Sequence, residues 1–284
     1  MQRTFTDTAH TTESDQEAFE RGFHGDPKPL KWDDLLAFPR VLLVAEAGAG
    51  KTFECEARAR AMSERGQAAF FLRLDALATG SVGKALRPKL RRRFKVWLTS
   101  STRPGYFFLD SVDELQLVHA TFRQALERLA DELEGALSRA FIVVTSRPVP
   151  IDRQAFAETL PVPIKEAMDP DQDKFIRVAM RDPNPSQRSS APAGIKEVTL
   201  LPLDKLQIAE LARKYHVRAP DQLLEQIESR NAYDFARWPQ ELIELCEDWR
   251  QHGQIRPHHD QVESHVQARL TARVDRPAVR ATLW

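Results

Sequence analysis

The segment VLLVAEAGAGKT, Val41 to Thr52, constrains the fold more than any other stretch of the chain. Val41-Leu42-Leu43-Val44 is a short apolar run of the kind that suits a strand buried on both faces. It leads into a turn holding Gly48 and Gly50, after which Lys51 and Thr52 open a helical pattern that ends at Gly66. Glycines let the backbone curl so that successive N–H groups point inwards, and the helix N-terminus adds positive dipole. Such a turn suits a polyphosphate. Ala47, Gly48, Ala49 and Gly50 would supply backbone donors, Lys51 would reach the outer phosphates, and the Thr52 hydroxyl would ligate Mg²⁺. The strict pattern G-x-x-x-x-G-K-[ST] asks for glycine where this chain has Ala45. That position is the strand exit, and alanine is small enough to leave the turn intact. The competing reading is a glycine-rich turn that happens to precede Lys-Thr, so the segments that follow have to decide.

They do so by alternation. Strand-like runs recur at Ala68–Leu74, Tyr106–Leu109 and Ala140–Val144, with a fifth at Val198–Leu201. Helical patterns fall between them at Lys51–Gly66, Gly83–Thr99 (with Pro88 expected in its first turn) and Val118–Ser138. Strands alternating with helices imply crossover connections and a parallel sheet covered on both faces. Residues 1–30 are polar, with one helical pattern at Ser14–Phe23, and read as an arm rather than a domain. After Arg147 the alternation breaks down. Asp182–Ala193 (DPNPSQRSSAPA) reads as a loop-like insertion. Beyond the fifth run everything looks helical: Lys205–Tyr215, Ala219–Ser229, Gln240–His252 and a weaker Gln261–Ala272. A length of 284 residues is enough for about two domains.

Two further segments carry chemistry. In YFFLDSVDEL, Asp110 closes a buried strand, so its carboxylate falls at the carboxyl edge of the sheet, where ligands of open parallel sheets lie. There it can hold Mg²⁺ directly or through water. Asp113 and Glu114 follow, and either can orient and deprotonate a water, Glu114 first and Asp113 close behind. They can equally cap the next helix. In FIVVTSRP, Thr145 and Ser146 end a strand and can bond the water or an outer phosphate oxygen. Arg147 can bind phosphate bidentately, or can make an ordinary surface ion pair. Lys51, Asp110 and Arg147 come in order at spacings of 59 and 37 residues, each at a strand end. Their joint occurrence makes the polyphosphate reading strong.

Asp110-Ser111-Val112-Asp113-Glu114 resembles the Walker B variant of NACHT NTPases, members of the STAND class of signal-transducing P-loop ATPases. Glu46-Ala47-Gly48 before Gly50-Lys51-Thr52, and Thr145-Ser146-Arg147-Pro148, are similar to the same family. TLLPLDKLQIAEL (Thr199–Leu211) looks like its passage into a helical lid. RWPQELIELCEDW (Arg237–Trp249) resembles the lid segment whose proline packs near the nucleotide, which would make Pro239 the matching residue. The resemblance implies an α/β fold: a P-loop NTPase three-layer parallel sheet over residues 31–202, with the insertion at about 180–195. A small all-helical lid would follow over 203–252, and 253–284 would be the start of a winged-helix region or a truncated tail. His258 and His259 are candidates, by location, for that region's nucleotide-sensing histidine. The resemblance also implies bound ATP or ADP with Mg²⁺, slow hydrolysis, homo-oligomerisation on activation, and in bacterial members defence against phage. Family members are usually longer, with effector and sensor regions that this chain does not contain. It would then be a fragment or a minimal module.

Composition sets the competing readings. Lys+Arg and Asp+Glu are both 41, giving zero formal net charge. That argues against recruitment to nucleic acid or anionic lipid by bulk charge. Lys84, Arg87, Lys89, Arg91, Arg92, Arg93 and Lys95 nonetheless crowd one helix. They are either an electrostatic footprint for a polyanion or a solvated face balanced by acids elsewhere, and the zero net charge favours the second. An AAA-like ATPase acting on nucleic acid and a nucleotide-binding remnant without turnover stay open as alternatives. No apolar run approaches the roughly 20 residues of a membrane span. Cys55 and Cys246 lie far apart, outside any metal or redox motif. His252, His258, His259 and His265 lack partners at ligand spacing. With no secretory signal at the start, a cytoplasmic globular protein is expected.

Overall fold

The computed structural model describes residues 3–7, 29–110, 122–163 and 194–256. They divide into two compact units, Gln2–Leu201 and Pro202–Trp284. The strands of the first are β1 (Phe5–Asp7), β2 (Arg40–Val44), β3 (Ala68–Arg73), β4 (Gly105–Asp110), β5 (Ala140–Ser146) and β6 (Lys196–Leu200). They form one six-stranded sheet in the order β1-β6-β2-β5-β4-β3. Pairings among β2 to β6 are parallel, and β1 adds antiparallel to β6. The unit is an α/β fold built on a mostly parallel sheet, as the alternation of runs and helices predicts.

The helices are α1 (Trp32–Leu35), α2 (Lys51–Glu64), α3 (Leu74–Thr79), α4 (Val82–Ala85), α5 (Pro88–Leu98), α6 (Phe122–Glu132) and α7 (Arg153–Thr159). Both faces of the sheet are covered. Leu42, Phe107, Leu109, Ile142 and Val144 share one apolar cluster with Phe94 and Trp97 of α5 and Leu126 and Leu129 of α6. The alternate residues Leu43, Phe108 and Val143 are equally buried, and Trp32 sets its ring edge-on to Phe108 at 5.7 Å. This double burial is why the strands read as continuous apolar runs rather than alternating ones. At the start of β4 the indole of Trp97 lies so close that a Cβ on Gly105 would sit 2.4 Å from it. Glycine is what lets α5 close onto the sheet there.

Several details depart from the sequence reading. Within the stretch read as an arm, Phe5–Asp7 is a strand. Phe5 is fully buried, its ring 4.8 Å from that of Trp32, and Lys196 pairs with Asp7 across the β1–β6 ladder. The helix expected over Gly83–Thr99 is two helices. Leu86 and Arg87 between them are extended (ψ 139° and 152°), because the residue before a proline is pushed out of the α region. Pro88 is the first residue of α5. After Arg147 there is regular structure after all. Asp152 caps α7 by accepting from the Ala155 N–H, and Arg153 grips the Glu197 carboxylate with Nε and Nη2 at 2.8 and 2.9 Å. The patterns at Ser14–Phe23, Asp182–Ala193 and Gln261–Ala272, and His258, His259 and His265, lie outside the described residues.

The second unit is helical where described: α8 (Lys205–Lys214), α9 (Pro220–Ser229), α10 (Tyr233–Ala236) and α11 (Pro239–His252). Asp204 and Gln207 form a reciprocal capping box at the start of α8. Ile208, Leu223, Ile227, Leu242 and Cys246 meet in its core. Pro239 is the first residue of α11, where its missing N–H costs no helical bond. Gly253 ends the same helix in the left-handed conformation.

Candidate functional site

The site is built where β2, β4 and β5 end side by side. β2 leaves the sheet at Ala45, whose N–H donates to the Ser146 carbonyl at 3.1 Å. The chain then turns through Glu46–Gly50, held by the Ala49 N–H on the Glu46 carbonyl. Gly48 and Gly50 have φ of 79° and 92°, a backbone region that costs an L-residue about 1–2 kcal/mol. Ala45 is not among the positive-φ residues, so its Cβ meets no backbone objection. That is why alanine can replace the glycine of the strict pattern. Ala47 is exposed and Ala49 is fully buried.

Gly50 is the N-cap of α2 and, being glycine, provides no side-chain cap. The first turn of this 14-residue helix therefore presents N–H groups that no capping side chain satisfies, the arrangement that attracts an anion. Lys51 Nζ folds back onto the loop, donating to the carbonyls of Ala45 and Glu46.

Beside it lies a hydrogen-bonded trio. Asp110, 1% exposed, accepts from Thr52 Oγ1 at 2.8 Å on one carboxylate oxygen. On the other it accepts from Thr145 Oγ1 at 2.6 Å. The strand order explains the geometry, since β5 lies between β2 and β4 and brings Thr145 up against the carboxylate. Thr145 thus orients Asp110, where the sequence suggested a phosphate or water contact. Ser146 Oγ is fully buried and has no hydrogen-bond partner among the described residues. An unpaired buried hydroxyl costs about 1–3 kcal/mol, and a phosphate oxygen or an ordered water arriving at this edge would recover it. Arg147 is exposed just past the strand end. Asp113 and Glu114 lie outside the described residues. Pro239 belongs to the second unit.

Burial lifts the Cys55 thiol well above the usual cysteine range; the Asp110 and Glu54 carboxylates add to the shift and Lys51 opposes it. Cys246 is pushed up to about 12, again by burial. Both thiols stay neutral, which suits packing rather than nucleophilic work. The sequence reading passed over Phe53, which follows Thr52 and is 51% exposed.

The donor set fits a Mg·nucleotide: a curled loop, an uncapped helix terminus, a lysine within the loop, a hydroxyl bonded to a carboxylate, and an orphaned serine. No family model matches the sequence, and no curated protein matches it. Solved structures do. A DNA replication initiation factor is 12% identical, with a TM-score of 0.36, over 76% of this chain and 56% of its own. The chain thus spans little more than half the length of that protein. A Walker-type ATPase of Pyrococcus abyssi is 14% identical, with a TM-score of 0.41, over 85% of this chain and 71% of its own. The FIGL-1 AAA domain, solved in complex with ADP, is 17% identical, with a TM-score of 0.32, over 75% and 63%. Identity this low leaves the chemistry to be argued from this chain's own residues.

Proposed function

We propose that the chain is an NTPase module that binds ATP with Mg²⁺ and hydrolyses it slowly, as a nucleotide-gated switch of the NACHT type. The observation that carries this reading is the Thr52–Asp110 hydrogen bond at the mouth of an uncapped, glycine-entered helix. Ala47 to Gly50 would cradle the phosphates with backbone N–H groups. Lys51 would leave the Ala45 and Glu46 carbonyls for the outer phosphates. Thr52 and Asp110 would hold Mg²⁺, which supplies charge neutralisation at the transferring phosphoryl group. Thr145 keeps the Asp110 carboxylate in one orientation. Ser146 would donate to a phosphate oxygen, and Arg147 would bind the same group bidentately.

Glu114, with Asp113 close behind, would take the proton of the attacking water. Pro239 would contribute a lid contact, as the resemblance implies. Homo-oligomerisation on activation and a role in bacterial anti-phage defence belong to the same proposal. Glu114→Gln is expected to leave Mg·ATP affinity within about threefold while cutting hydrolysis by 10²-fold or more, in keeping with the usual worth of a general base. Phosphate release measured beside equilibrium binding separates the two effects, and undiminished release would remove Glu114 from the role. The second reading, an AAA-like ATPase acting on nucleic acid, gains support from a surface at the other end of the sheet.

A further inference from the structure

Between Asp75 and Asp110 the chain contains no acidic residue, yet it carries Lys84, Arg87, Lys89, Arg91, Arg92, Arg93, Lys95 and Arg103. Because the whole chain is neutral, the remainder carries a compensating excess of acids. Among the described residues those acids do not pair with most of this segment. Arg93 caps the end of α2 through the Ser63 and Gln67 carbonyls, and Arg91 reaches the Leu86 carbonyl. Among the described residues the side chains of Lys84, Arg87, Lys89, Arg92, Lys95 and Arg103 make no ion pair.

The arrangement works against the helix that bears it. Lys89, Arg92 and Lys95 recur at i, i+3 on the exposed side of α5, where like charges repel. The first turn of α5 holds no acid, so Arg87 and Lys89 also oppose the helix dipole. A stripe kept for solubility alone would mix signs. The stripe borders a groove of about 860 Å³ whose lining includes Arg92, Arg93, Val96, Arg103 and Tyr106. Val96 is 66% exposed there. The groove opens at Ala68 and Tyr106, where β3 and β4 begin. It is therefore at the opposite end of the strands from Asp110 and Ser146.

We infer that α5 and its groove form a binding surface for a nucleic-acid phosphate backbone. A linear polyanion is the ligand whose charge matches a one-signed row running from Arg87 to Lys95, a span of about 12 Å at the helical rise. Arginine, with its fork of donors, matches phosphate oxygens. A lipid surface fits less well, because the large apolar residues of α5, Phe94 and Trp97, are already buried in the protein core. That leaves Val96 as its one well-exposed apolar side chain, too little for an inserting face. The inference is independent of the nucleotide reading, since it uses none of the same residues.

The test is fluorescence anisotropy of the full chain with labelled 30-nucleotide single-stranded and duplex DNA and RNA at 50 mM salt. The proteins are the native chain, the triple variant Lys89→Glu/Arg92→Glu/Lys95→Glu, and the neutral triple to Gln. The native chain is expected to bind at least one polynucleotide, with affinity falling steeply as salt rises. Each contacted phosphate contributes about 0.7 to the log–log slope for a single strand. The Glu triple is expected to lose at least tenfold and the Gln triple an intermediate amount, both with the native circular dichroism spectrum. Lys51→Ala is expected to bind polynucleotide as the native chain does, which keeps failure of the two sites distinguishable. Absence of binding by the native chain at 50 mM salt overturns the inference, as does equal binding by the triples. Displacement of the polynucleotide by poly-glutamate at equal charge concentration overturns it in favour of an acidic protein partner.

Discussion

Arg40→Met is expected to destabilise the unit Gln2–Leu201 by about 3–5 kcal/mol, the loss typical of removing one side of a buried charged network. Arg40 is fully buried at the first position of β2. Among the described residues its donors go to backbone carbonyls rather than to a carboxylate. Nε donates to Leu160 at 2.7 Å, Nη1 to Pro39 at 2.8 Å and Ala140 at 2.6 Å, and Nη2 to Pro161 at 2.8 Å. Burial lowers its pKa to about 10, so it remains a cation at neutral pH. Replacing a buried ion pair by apolar residues is often neutral, because both charges go together. Here the partners are main-chain carbonyls that no substitution removes. Methionine therefore leaves the buried Leu160 and Ala140 carbonyls without this donor, at about 1–3 kcal/mol for each group left unsatisfied. The Pro39 carbonyl keeps the Ile142 N–H, and Pro161 is exposed. The loss outweighs the desolvation saved. Arg40→Lys should recover part of it. Urea unfolding followed by tryptophan fluorescence measures the difference, and a loss below about 1 kcal/mol would contradict this account of the guanidinium.

The second large effect belongs to Asp110. Asp110→Asn keeps the shape of the side chain and one acceptor oxygen, but it removes the charge and gives one hydroxyl partner an N–H in place of a lone pair. ATP hydrolysis is expected to fall by 10²–10³-fold, the usual worth of one preorganised electrostatic group. Nucleotide affinity measured in EDTA should change by less than about threefold, because the cradle and Lys51 are untouched. A Mg²⁺ titration of both proteins reads the split. If the Asn variant hydrolyses ATP at the native rate and at the same Mg²⁺ concentration, Asp110 does not hold the metal.

Much of the α/β unit was legible in the sequence because its signals are local. A strand buried on both faces must be an uninterrupted apolar run, and four such runs are present; β6, KEVTL, instead alternates buried and half-buried residues. The glycines, Lys51, Thr52 and Asp110 announce themselves by position after those runs. What stayed hidden depends on the third dimension. Arg40 reads as a polar residue flanking VLLV, and nothing nearby in the chain foretells carbonyls 100 to 121 positions away. Phe5–Asp7 is too short for a periodic signal; pairing with β6, the backbone bonds to Leu30 and packing on Trp32 make it a strand. The sequence offered Thr145 as a ligand contact. The strand order instead assigns its hydroxyl to Asp110, and the order cannot be read from the runs alone. The crowd of cations on the basic helix was plain in the sequence; that Lys89, Arg92 and Lys95 share its exposed side is what the structure adds.

The central claim is that Val41–Thr52 forms a nucleotide site. The most direct measurement is the thermal unfolding of the chain with Mg·ATP, Mg·ADP and Mg·GTP beside Lys51→Ala. A ligand that binds only the folded state adds about 2.7 kcal/mol at a hundredfold excess over Kd. The account predicts a rise in Tm with ATP or ADP that disappears in Lys51→Ala while the variant's ligand-free Tm stays close to native. No rise in a folded native sample, or the same rise in the variant, would contradict it.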